Sequence, residues 1–159
     1  MDHGADPTAE DRARLIELLA LYASIPDTND WDELPPRVFT DSVVWDLESV
    51  TGIPPAEVSR SVLSDLLRPA FAKFEATHHA ITNHRVRVDG DRALLRAHIR
   101  AEHWISRELV PDGPNCWLIV GFYDDEAVRT ADGWRLQKVR LTVTHRENDH
   151  LLVAAQESE

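Results

Sequence analysis

Apolar residues recur at helical spacing in the first half of the chain and at alternating spacing in the second. From Thr8, residues Leu15, Ile16, Leu18, Leu19 and Tyr22 form one broad apolar face, with Thr8 placed to cap the helix and Asp11 three residues on in a capping-box position. Pro26 is expected to end this helix, which puts Asp27 just beyond it. Residues 27–34 then read as a turn and a short second helix that stops at Pro35 and Pro36. Residues 42–47 read as a short strand centred on Val43 and Val44. After the turn signal Gly52-Ile53-Pro54-Pro55, Val58, Val62, Leu63, Leu66 and Leu67 recur at helical spacing, and Pro69 interrupts or kinks that helix before Phe71 and Phe74.

Beyond Thr77 the pattern is extended. Asp89-Gly90-Asp91 is a hairpin turn, and in the strand after it Leu95, Ala97, Ile99, Ala101, His103 and Ile105 fall on one face. Arg96, His98, Arg100, Glu102 and Trp104 fall on the other, so a single histidine, His103, ends an apolar stripe. Residues 106–114 form a loop, and Cys116 to Tyr123 is too apolar to alternate, as a central strand would be. After the turn at Ala131-Asp132-Gly133, the strand from Trp134 sets Val139, Leu141, Val143 and His145 against Lys138, Arg140, Thr142, Thr144 and Arg146. Met1 to Pro7 is a polar lead-in; the tail from Glu147 reads as frayed, with Leu151, Leu152 and Val153 able to add a little strand. Helices followed by hairpin-connected strands predict an α+β fold: a strongly curved antiparallel sheet with its N-terminal helices on the concave side and a cavity between them.

A chain of 159 residues fits one domain, 1–159, with a core of about 8–148. The formal net charge of -11 argues against nucleic acid and anionic membranes as partners, because both require clustered cations. The single cysteine, Cys116, excludes an internal disulfide and a multi-cysteine zinc site, and its apolar neighbours suit a core residue better than a nucleophile. No run approaches the roughly 18 apolar residues of a membrane span, and the acidic start lacks a signal peptide's pattern, so the expectation is a cytoplasmic protein.

The candidate chemistry lies between Thr77 and Asp91, which carries His78, His79 and His84. Histidine trades protons near neutral pH, so acid/base chemistry is the first reading. A zinc site from these three lacks a fourth ligand and same-face geometry. Val86 and Val88 share parity with His78 and His84, so an inward His79 requires a bulge or twist between Asn83 and Val86; in a regular strand His78 takes its place. Trp31, Trp45, Trp117 and Trp134 suit core or cavity wall. Arg100 and Glu102 fall on the outer face as a salt-bridge pair.

Four features in order carry a family resemblance: Leu21-Tyr22 followed by Asp27 and Asp30-Trp31-Asp32; His79-Ala80-Ile81-Thr82-Asn83; Val88-Asp89-Gly90-Asp91-Arg92-Ala93 with Ala101-Glu102-His103; and Gly121-Phe122-Tyr123-Asp124-Asp125 followed by Arg129 and Gly133-Trp134. The chain, from about Asp11 to Asn148, resembles the nuclear transport factor 2-like superfamily and within it the SnoaL-like branch that holds scytalone dehydratase and the bile-acid dehydratases. The resemblance implies a cone-shaped α+β barrel with a deep cavity, often a homodimer. It also implies catalytic roles for Asp27, His79, His103 and Tyr22, no cofactor and no metal, and a hydrophobic cyclic small molecule as substrate. His79 with Asp27 would move the proton, and Tyr22 or His103 would donate a hydrogen bond to the enolate oxygen. Scytalone dehydratase has tyrosines where this chain has Pro26 and Leu47, which argues against the same substrate. The reading is a cofactor-independent lyase or isomerase of dehydratase or cyclase type. The alternatives are a non-catalytic binding protein with the same cavity, or an epoxide hydrolase if Arg100 points inward. Asp27 could equally accept backbone hydrogens in its turn, and Tyr22 could simply complete a core face.

Overall fold

The structure, a computed structural model, describes residues 8–152, so the lead-in Met1 to Pro7 and Val153 lie outside the described residues. The first helix, α1 (Ala9–Thr28), is capped by Thr8, whose hydroxyl accepts the Asp11 N–H at 3.1 Å. Asp11 also ties the helix to the far hairpin, accepting from the Trp134 indole at 3.0 Å and from Arg129 at 2.9 Å. Leu15, Leu18, Leu19, Ala23 and Ile25 are buried.

Pro26 does not end α1. The helix runs two residues further and closes with Asn29 at φ 56° and the Asp30 N–H on the Ile25 carbonyl at 3.0 Å. Proline lacks only a donor, and this left-handed closure satisfies the last carbonyls that the expected break would have exposed. Asp27 is therefore fixed on the last turn of a helix rather than in a loop. The expected helix before Pro35 is also absent: residues 31–34 are bends, and Pro35 and Pro36 begin α2 (Pro35–Val38). Proline suits a first helical turn, where its missing N–H would have had no partner.

β1 (Phe39–Asp46) leads through α3 (Glu48–Thr51) to β2 (Ala56–Ser59), which takes Val58 out of the expected helix. Ser59 caps α4 (Arg60–Phe71), and Pro69 lies inside that helix without interrupting it. β3 (Ala76–Asp89), β4 (Arg92–Trp104), β5 (Cys116–Thr130) and β6 (Gly133–Glu147) follow as hairpin-connected strands. The six-stranded sheet runs β2-β1-β6-β5-β4-β3 and is not closed. One pair, β1 with β6, is parallel, so the sheet is mixed where the alternation suggested an antiparallel one. The tail is neither frayed nor extended at Leu151, which is buried in a helical turn at 150–152. No helix among the described residues is long and apolar enough to cross a membrane.

Bulges decide which side chains face the concave side. In β3 the register shifts between Thr82 and Arg85, with Asn83 at φ 55°. Against β5, β6 shifts where Val120 pairs with His145 but Gly121 with Val143, leaving Thr144 as the extra residue. Gly121 belongs to that bulge: a Cβ there would collide with the Thr142 carbonyl oxygen. Gly121→Ala is expected to cost about 2 kcal/mol as overpacking against backbone. A urea midpoint equal to wild type would show that β6 gives way instead.

Candidate functional site

Between the concave face of the sheet and helices α1 and α4 lies a cavity of about 720 Å³. Its walls are mostly apolar and aromatic, including Trp31, Trp45, Phe71, Phe74, Ile99 and Trp117. Trp134 is buried elsewhere and does not line it. Volume and lining suit a flat, apolar small molecule.

Asp27 and His79 meet at the edge of this cavity. β3 is an edge strand, and α1 packs along it, so its outward backbone groups need partners. Asp27 supplies them. Its Oδ2 accepts the His79 backbone N–H at 2.8 Å, and its Oδ1 accepts both His79 Nδ1–H at 2.7 Å and the Thr77 hydroxyl at 2.8 Å. Partial burial raises the Asp27 pKa, but the hydrogen bonds from His79 and Thr77 outweigh it and hold the carboxyl below its usual value. The carboxylate thus selects the His79 tautomer with Nδ1 protonated, which makes Nε2 the nitrogen that can take up a proton. The turn-capping job considered for Asp27 falls to Asp30, whose Oδ1 accepts from the Glu33 and Leu34 N–H groups.

His79 lines the cavity because of the β3 bulge, while His78 is exposed. His103 is 2% exposed, with its ring 5.1 Å from that of His79 and edge-on to it, and packed among Phe71, Phe74 and Trp117. Burial, helped by repulsion from His79, pushes the His103 pKa down to about 3. Its Nδ1 lies 3.3 Å from the Trp117 carbonyl, which can only accept, so Nδ1 carries the proton and Nε2 does not. A neutral His103 in this tautomer accepts hydrogen bonds from the cavity and has none to give. This corrects the expectation that it could donate to an enolate oxygen.

Tyr22 and Tyr123 stand side by side in the cavity, their hydroxyls 3.5 Å apart. Burial pushes both phenols up, so they remain protonated donors. Tyr22 also meets Phe39 and Trp45 edge-on, so it serves the core and the cavity at once. Asp125, 1% exposed on the same strand face as Tyr123, takes the Arg140 N–H on Oδ1, while Oδ2 has no hydrogen-bond partner among the described residues. Burial pushes the pKa of this carboxyl well above its ordinary range.

Three histidines and the outer pair stand outside the site. His84 and His98 face Arg12 and Phe122 respectively, and His78 is in solvent. Arg100 and Glu102 bond each other on the outer face, so an epoxide hydrolase lacks its inward arginine. Burial raises the Cys116 thiol pKa, which makes it a poor nucleophile. Among the described residues no cluster of three or more His, Cys, Asp or Glu could hold a metal ion.

Sequence reasoning missed Thr77, Tyr123, Asp125 and Arg146. Thr77 had a signal, since it shares strand parity with His79. Tyr123 and Asp125 lie two apart in a strand too apolar at its start to show alternation. Arg146 was expected on the outer face, but the extra residue Thr144 turns it inward to line the cavity and sends His145 outward.

Comparison with known proteins places this geometry in a family. A family model described as the SnoaL-like domain matches residues 7–140. The Kfla4162 protein from Kribbella flavida is 54% identical, with a TM-score of 0.90 over 92% of this chain and 99% of that one. A candidate scytalone dehydratase from Novosphingobium aromaticivorans shares the fold at 18% identity and TM-score 0.73, covering 88% of each chain. Hexachlorocyclohexane dehydrochlorinase LinA-type3 from Novosphingobium barchaimii shares it at 18% identity and TM-score 0.68, over 87% of this chain and 89% of that one. On its sequence match the chain belongs to the SnoaL-like domain family, and its fold is the one seen in a structure from the nuclear transport factor 2-like family.

Proposed function

We propose that the protein is a cofactor-independent lyase that eliminates water from a hydrophobic cyclic carbonyl compound, with His79 and Asp27 as its acid/base pair. The observation that carries this reading is the 2.7 Å contact between His79 Nδ1 and Asp27 Oδ1 at the wall of an apolar cavity. Two structural neighbours named for elimination reactions, a candidate dehydratase and a dehydrochlorinase, support the reaction type.

His79 Nε2 removes the proton next to the carbonyl, and the imidazolium so formed is stabilised by the Asp27 carboxylate. Negative charge moves to the carbonyl oxygen as an enolate, where the Tyr22 hydroxyl donates a hydrogen bond. As the enolate reforms the carbonyl, the bond to the β-hydroxyl breaks, and the His79 proton leaves with that oxygen as water. Neutral His103 accepts a hydrogen bond from the departing hydroxyl's side of the substrate and adds no competing positive charge. Asp27 turned away from His79 would have favoured the rival, a non-catalytic binding protein; the hydrogen bonds between the two support the acid/base reading instead.

Asp27→Asn tests the pair. An amide nitrogen facing Nδ1 would favour the wrong tautomer, so kcat is expected to fall about 10²-fold or more while substrate binding changes little. The test is steady-state kinetics on β-hydroxy ketones of steroid or polyketide size, followed by the absorbance of the conjugated product. Undiminished kcat would remove the carboxylate from the mechanism.

A further inference from the structure

Asp27 is anchored by more than the histidine it serves. A carboxylate on the last turn of a helix can swing about its side-chain bonds, and this one keeps 20% of its side chain in solvent. Water could therefore compete for its oxygens. Donors from β3 fix it instead: the His79 backbone N–H on Oδ2 at 2.8 Å, and His79 Nδ1–H and the Thr77 hydroxyl together on Oδ1 at 2.7 Å and 2.8 Å. Thr77 and His79 stand two apart on the strand, so their side chains share one face and reach the same oxygen.

Thr77 does not line the cavity, so it has no contact with a substrate there. Its hydroxyl acts on the oxygen that holds the Nδ1 proton. An oxygen that already accepts one charge-assisted hydrogen bond is a weaker base towards the next proton, so the donation from Thr77 keeps the shared proton on the imidazole. The same bond is among those that hold the Asp27 carboxyl below its usual value. It leaves Asp27 charged when His79 takes a second proton on Nε2, and it fixes the direction in which the ring points. The other titratable groups that feel this carboxylate, His103 on β4 and Tyr123 on β5, make their hydrogen bonds elsewhere.

We propose that Thr77 is a positioning residue for the acid/base pair: its hydroxyl locks Asp27 Oδ1 onto His79 Nδ1 and keeps the Nδ1 proton on the ring. The proposal rests on reading His79 and Asp27 as the catalytic pair, and it adds a third member that acts only through the carboxylate.

Thr77→Val removes the hydroxyl and keeps the β-branched shape that suits a strand. On a β-hydroxy ketone that wild type dehydrates, kcat is expected to fall about tenfold while KM stays within about twofold, as for one charge-assisted hydrogen bond whose loss is felt after binding. Thr77→Ser returns the hydroxyl and should bring kcat to within about twofold of wild type. Thr77→Ala carries the same expectation as valine, so a loss confined to valine would belong to its added methyl and would overturn the role.

Heteronuclear NMR of the His79 ring nitrogens, observed through the carbon-bound ring protons at a pH above the histidine range, needs no turnover. Nδ1 should show the shift of a protonated nitrogen in wild type, move towards that of an unprotonated one in Thr77→Val as Oδ1 takes a larger share of the proton, and return in Thr77→Ser. A threonine that only packs would change the melting temperature and neither kcat nor the Nδ1 shift, and that result would overturn the assignment. A serine variant as slow as the valine one would overturn it too. If wild type dehydrates no such ketone, the dehydratase reading fails, and the Nδ1 shifts still decide whether Thr77 governs the contact between Asp27 and His79.

Discussion

Replacing His79 with Ala should abolish turnover, with kcat falling by about 10²–10⁴-fold, the usual contribution of a positioned acid/base. The fold should survive, because β3 keeps its ladder to β4 and Asp27 keeps the residue 79 backbone N–H and the Thr77 hydroxyl. Far-UV circular dichroism and the melting temperature would establish that, and dehydration of a cyclic β-hydroxy ketone would report the chemistry. His78→Ala is the control, since that side chain is in solvent one residue away. Full activity in the His79 variant would sink the mechanism, and equal losses in both would point to strand disruption instead.

The second large effect concerns stability and pH. His103 has an ordinary pKa of 6.5 when unfolded and about 3 when folded. Below pH 6.5 the unfolded chain therefore takes up a proton that the folded protein refuses, and stability falls as pH falls, by about 1.4 kcal/mol per unit, until about pH 3. Asp125 acts in the opposite direction. Burial raises its pKa in the fold above the unfolded 3.8, so its contribution falls as pH rises past that value. Asp27, lowered in the fold, loses its contribution only as pH drops through the carboxylate range. The wild-type curve alone therefore mixes opposing slopes.

The difference between wild type and His103→Leu isolates the histidine. Leu fills a similar volume without a titrating group, so the variant should gain on wild type by roughly 3 kcal/mol between pH 7 and pH 4. Urea unfolding of both proteins at pH 7, 5.5 and 4 measures it. Parallel curves would mean that His103 is protonated in the fold, and with it the tautomer assigned from the Trp117 carbonyl would be wrong.

Periodicity made much of the fold legible. The β4 stripe from Leu95 to His103 needed no correction, because alternation over that strand is uninterrupted and each inward residue is buried. The cap at Thr8 and the long hairpins were equally visible. Prolines misled at both helix ends: Pro26 and Pro69 sit inside helices and Pro35 starts one, since proline forbids one hydrogen bond and neighbouring closure can absorb that loss. The parallel β1–β6 pair was hidden because pairing between segments about a hundred residues apart leaves no local pattern.

The sequence by itself determined that a histidine-bearing sheet would curve around helices, and that His103 would face inward at the end of an apolar stripe. It also stated the condition for His79: a bulge between Asn83 and Val86, which the register shift between Thr82 and Arg85 supplies. Tertiary structure decided the rest. Only packing α1 along the open edge of β3 brings Asp27, fifty-two residues away, within 2.7 Å of the His79 ring. Only the pairing of β6 with β5 makes Thr144 an extra residue and turns Arg146 into the cavity. One inserted residue reverses the parity of every side chain beyond it, and local spacing records where a strand alternates but not where its partner forces it to slip.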